Sequence, residues 1–161
     1  MTLSPALCTA GLPGQPRSRY HIDCAGARLH VHARSVATVL RVGGEIDASN
    51  AELVARAVRR FSRLRAPLIL DLSQLDFLSS AAFGELLILA DEHRQAGLPC
   101  SVVGGPALRR LAQMVPDHGL PVAYSVPDAL RDVELAIRAR RQLVSGSARQ
   151  EEPQRAATAS R

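Results

Sequence analysis

Leu68-Ile69-Leu70-Asp71-Leu72-Ser73-Gln74-Leu75-Asp76-Phe77-Leu78-Ser79-Ser80 decides how the rest of the chain is read. It opens behind Pro67 as a continuous apolar run, the pattern of a strand covered on both faces. It closes on two serines, and the apolar residues after them recur at helical spacing. The expectation is a strand over Pro67–Leu72, a turn, and a helix over Ser80–Ala96 ended by Gly97. A helix start of this kind carries unpaired N–H groups and favours an anion or a hydroxyl cap. About twenty residues upstream, Leu40-Arg41-Val42-Gly43-Gly44-Glu45-Ile46-Asp47 has the same form, an apolar run that stops at an acidic turn.

Working outward, Ala27–His32 alternates in polarity as a half-exposed strand would, and Ala37–Val42 reads as the next, with Val36-Ala37 in the hairpin between them. Ser49-Asn50-Ala51-Glu52 has the form of a capping box, with Ser49 as N-cap and Glu52 reaching back. Behind it, Leu53, Val54, Ala57, Val58, Phe61 and Leu64 give a helical stripe. Arg56, Arg59, Arg60 and Arg63 form a basic stripe on that helix and read as a solvated face. Pro99–Val103 is a strand, Pro106–Met114 a helix with Pro at its first position, Pro121–Tyr124 a brief strand, and Pro127 to about Leu143 the closing helix. Arg138, Arg140 and Arg141 in its last turns complement the helix dipole. The order β-β-α-β-α-β-α-β-α predicts an α/β fold with a mixed, mostly parallel sheet, because strand–helix–strand units force parallel pairing. The folded region is expected over 20–144, between segments 1–19 and 145–161 whose composition reads as disordered.

Composition narrows the function. The chain has 161 residues, enough for a single core, and only five aromatic residues with no Trp, so Ala, Val and Leu must fill it. No apolar run approaches the roughly 18 residues of a bilayer span, and no basic segment precedes an apolar one at the N-terminus. A cytoplasmic protein without membrane association is expected. The formal charge of +5 is carried by Arg alone. Residues 36–137 hold 10 Arg against 12 acidic residues, so the excess positive charge lies in the flanks, and no specific nucleic-acid partner is expected. Cys8, Cys24 and Cys100 have neither metal-ligand spacing nor a Cys-x-x-Cys motif. His30 and His32 share a strand face, but with His21, His93 and His118 they form no metal pattern. Gly104-Gly105 lacks a nucleotide-binding fingerprint. No cofactor, metal or catalytic residue is expected. A serine hydrolase using Ser79 or Ser80 would need a base and a nucleophile elbow that the sequence does not offer.

The two turn segments together resemble the STAS domain, the module of bacterial anti-sigma factor antagonists and of the cytoplasmic ends of sulfate transporters. Its first turn reads Gly-Glu-hydrophobic-Asp, matched here by Gly44-Glu45-Ile46-Asp47. Its second reads Asp-Ser-Ser/Thr-Gly with the second hydroxyl phosphorylated, and here stands Ser79-Ser80-Ala81-Ala82. The resemblance covers roughly Arg28–Arg141 and implies a binding regulator, not an enzyme. Its implied partner is an anti-sigma factor of the histidine-kinase-like ATPase type, from which binding frees a sigma factor. The implied contact and regulatory residues are Glu45, Asp47, Ser49, Asn50, Ser79, Ser80 and Ala81. Ala81 falls at the phosphorylated position and has no hydroxyl, which leaves Ser80, then Ser79, as the candidate acceptors. Self-association, a scaffold or small-ligand sensor outside partner switching, and nucleic-acid association through the Arg-rich flanks are the alternatives.

Overall fold

The computed structural model describes residues 20–148; the segments 1–19 and 149–161 expected to be disordered lie outside the described residues. Ten elements follow one another: β1 (Tyr20–Cys24), β2 (Ala27–Ala33), β3 (Thr38–Ile46), α1 (Ala51–Ser62), β4 (Leu68–Leu78), α2 (Ser80–Gln95), β5 (Cys100–Gly104), α3 (Pro106–Met114), β6 (Val122–Ala123) and α4 (Val126–Ala148). They form one six-stranded sheet in sequential order. β1, β2 and β3 pair antiparallel, and β3 to β6 pair parallel through helical crossovers. The mixed, mostly parallel sheet is as expected, with one strand more.

That strand is β1. It joins β2 through Ala25-Gly26, whose φ angles of 50° and 106° make a tight two-residue hairpin. Tyr20, Ile22 and Cys24 alternate with polar neighbours, but the strand has five residues and its turn lacks the Asn-Gly or Asp-Gly signal of such hairpins.

β4 is the second correction, since it runs to Leu78 instead of ending at Leu72. Its pairing with β3 slips twice, between Arg41 and Gly43 and again between Gly44 and Glu45, and β4 carries the extra residue each time. Each bulge resets the alternation of faces. Leu68, Leu70, Leu72, Leu75 and Leu78 therefore all enter the same core, although their spacing changes from two to three. That core lies between one sheet face and α1, α2 and α3, through Val54, Val58, Leu86, Leu89 and Leu108 among others. Burying one such leucine contributes about 2 kcal/mol. Ile69 points the other way, into a smaller cluster with Val39, Val103, Ala129 and Val133 beneath α4.

The helices depart from the sequence reading in three places. Asn50, not Ser49, occupies the N-cap of α1, and no side chain caps it there; Glu52 pairs with Arg56 instead. Arg59 is not merely solvated: it reaches α2, with its guanidinium 3.0 Å from Glu92 and 3.5 Å from Glu85. α4 continues past Leu143 to Ala148, so 145–148 are helical.

Candidate functional site: three converging turns

The C-terminal ends of β3 and β4 lie side by side, Glu45 opposite Phe77 and Ile46 opposite Leu78. Beyond them the chain turns into α1 and α2. The Ser79 N–H donates to the Ile46 carbonyl at 2.9 Å, which ties the second turn to the first. The β1–β2 hairpin closes the group from the other side, with its Gly26 carbonyl accepting from the Glu45 N–H at 3.2 Å. Gly44 makes this approach feasible. Its φ is +87°, and a Cβ there would stand 2.2 Å from the Gly26 oxygen.

Asn50 holds the three-turn arrangement from beneath. Its side chain is buried, and Nδ2 donates to the carbonyls of Cys24 (3.2 Å), Ala25 (2.9 Å) and Glu45 (3.0 Å). Its Oδ1 accepts from the Asp47 N–H at 2.9 Å. Carbonyls without donors are costly, and this one amide serves three of them with its two protons, one of them shared. The sequence reading placed Asn50 among the contact residues; the structure sets it under the turn.

Asp47 organises the upper side. Its Oδ1 accepts from the Ser49 hydroxyl (2.5 Å), the Ser49 N–H (2.7 Å) and the Asn50 N–H (3.3 Å). The Ser49 hydroxyl, aided by these backbone amides, holds the Asp47 carboxyl below its ordinary range. Ser79 is the N-cap of α2, its Oγ accepting from the Ala82 N–H at 3.1 Å. Ser80 and Ala81 follow in the first turn and are exposed. The Ser80 hydroxyl has no partner among the described residues.

The exposed groups around these turns are mixed: the carboxylates of Glu45 and Asp76, the hydroxyls of Ser49 and Ser80, and the ring of Phe77, 48% exposed beside Glu45. Sequence reasoning missed Phe77, because its exposure depends on the second bulge. Neither Ser79 nor Ser80 has an imidazole or carboxylate bonded to its hydroxyl, so neither is primed as a nucleophile. Among the described residues no three His, Cys, Asp or Glu side chains converge as a metal ion would require. No described helix is long and apolar enough to cross a membrane.

Asp71 lies away from these turns, in the first half of β4, with its side chain 2% exposed. It accepts from Arg41 Nε at 2.9 Å and from the Ser73 hydroxyl and N–H at 2.6 and 3.1 Å. Burial pushes its carboxyl up, but the Ser73 hydroxyl and the Arg41 guanidinium outweigh burial and hold it below the ordinary range.

Residues 21–118 match the family model of the STAS domain. The chain belongs to the STAS domain family. β6 and α4 lie beyond the matched span. A curated relative, osmosensory protein A of Mycobacterium tuberculosis, is 40% identical over 128 residues, covering 76% of this chain and 81% of the relative. Among solved structures, an anti-sigma factor antagonist from Mycobacterium paratuberculosis superposes with a TM-score of 0.59 at 28% identity, covering 67% of this chain and 94% of that one. The anti-sigma factor antagonist SpoIIAA in its unphosphorylated form superposes with a TM-score of 0.53 over 66% of this chain and 96% of its own. At 18% identity that likeness shows the fold alone. The STAS fold of this chain is thus that of anti-sigma factor antagonists.

Proposed function

We propose that this STAS protein is an anti-sigma factor antagonist that docks through its three converging turns on a kinase-type anti-sigma factor and frees a sigma factor. The carrying observation is the bond between the Ser79 N–H and the Ile46 carbonyl, which ties the turn bearing Ser80 and Ala81 to the one bearing Glu45, Asp47 and Ser49. The M. paratuberculosis antagonist, alike over nearly its whole length, supports the same reading. Binding, not catalysis, is the activity of this surface. Ala81 offers no oxygen to a kinase, and the Ser79 hydroxyl is engaged as a helix cap. The antagonist therefore stays active where a phosphorylated one would be released, and Ser80 is the single exposed hydroxyl left in the α2 turn. The name of the M. tuberculosis relative points to osmotic change as the upstream signal.

The test is reconstitution with the kinase-type anti-sigma factors of the source organism, with ATP and Mg²⁺. Co-elution with one of them and an unchanged intact mass is the expected result. A phosphate on Ser80 would restore the switch and overturn the locked-on reading. Absence of co-elution with every one would remove the antagonist function and favour a scaffold or ligand-sensing role.

A further inference from the structure

A cleft unrelated to the turns opens between the C-terminal half of α2 and the chain entering β6, with a volume of about 320 Å³. That is the lower end of small-molecule sites. Along α2 it begins at Leu87, seven residues from Ser80 and roughly 10 Å away at the helical rise. Its apolar lining comes from Leu87, Ala90, Leu98, Cys100 and Pro121. Burial pushes the Cys100 thiol up to about 11, so it stays a neutral wall atom.

The polar groups in the cleft favour one kind of ligand. Asp91 is already satisfied, its two oxygens taken by Arg94 and Gln95 of the same helix. Arg94 uses only one nitrogen there, and its other N–H groups have no partner among the described residues. His118 is fixed on two sides. Its Nδ1 accepts from the Leu120 N–H at 3.0 Å, and its ring stands edge-on to Phe83 at 5.8 Å. Because Nδ1 accepts, the neutral ring carries its proton on Nε2, which has no partner among the described residues. The cleft thus offers spare donors, a compensated carboxylate and an apolar lining. A cationic amine finds only a carboxylate whose charge Arg94 already offsets. An anionic head with a hydrocarbon tail finds both things it needs.

We propose that this cleft binds a small monocarboxylate with a short apolar tail, its head held by Arg94 and His118 and its tail by Leu87, Ala90 and Leu98. The site does not depend on the antagonist reading. The test follows the amide resonances of the ¹⁵N-labelled full chain during titration with sodium octanoate, with octylamine as the control of opposite charge. Octanoate is expected to shift amides over 87–98 and 118–121 saturably, with a Kd of about 1 mM or tighter, as its size allows. Arg94→Gln, an exposed change that leaves the core alone, is expected to weaken binding about tenfold. Ala90→Trp, which fills the cleft, is expected to abolish it. Unsaturable or scattered shifts, equal binding of octylamine, or octanoate binding untouched by both variants would each overturn the proposal.

Discussion

The two halves of β4 differ in almost every physical respect although they form one strand. Leu68–Leu72 pairs in unbroken register with β5, and as far as Asp71 with β3, and is buried on both faces. Ser73–Leu78 has lost β5 as a partner, carries the irregular pairing with β3, and buries one face only. The first half holds the domain together; the second aims a turn at the outside. In this fold stability and recognition lie in consecutive stretches of one strand, so damage to either should be separable.

The largest loss is expected in the first half. Leu70→Ala, a fully packed site, should cost about 3 kcal/mol, read from the urea midpoint. Asn50→Ala strikes the support of the second half. Losing the donor to three carbonyls should cost about 2 kcal/mol and also disorder the turns, seen as faster amide exchange over 44–50. If the exchange stays slow, the hairpin does not depend on Asn50.

Asp71→Asn tests the junction. Arg41 is half exposed and stays solvated once unpaired, so the loss should be about 1 kcal/mol, well below that of a fully buried pair. The sign with pH follows from the depressed carboxyl: its contribution is complete above the unfolded value of about 3.9 and lost as pH falls through the lower folded value. Between pH 5 and pH 2 the wild type should therefore lose more stability than Asp71→Asn, and equal losses would remove Asp71 from the acid transition. Phe77→Ala should be the smallest in stability, within about 0.5 kcal/mol, because the ring is half exposed. Its effect should instead appear as weaker co-elution with the anti-sigma factor, and undiminished binding would take Phe77 out of the contact surface.

The apolar run Leu68–Leu72, the helical stripes and the two turn motifs were legible because local pattern and tertiary role agree there. The second half of β4 was not, since a spacing of three leucine by leucine fits neither strand nor helix until the bulges are known. Ser49-x-x-Glu52 misled because Asp47, two residues back, takes the Ser49 hydroxyl, and Asn50 is drawn under the turn by carbonyls of a hairpin distant in sequence. The bonding of Asp71 was not legible either. Its partner, Arg41, lies 30 residues away, and no local pattern marks the pair.

The bulges also act as a length adjustment. β3 spans nine residues and β4 eleven, yet Thr38 faces Leu68 at one end and Ile46 faces Leu78 at the other. Laid flat, the longer strand would overshoot its neighbour by two residues, about 6–7 Å, and lift its serines clear of the Asp47 turn. The surplus is folded into two kinks, and the turns finish level. Insertions and deletions in these strands are therefore constrained as a pair. A residue gained or lost in one shifts the levelling by one step, unless the other strand or a bulge absorbs it.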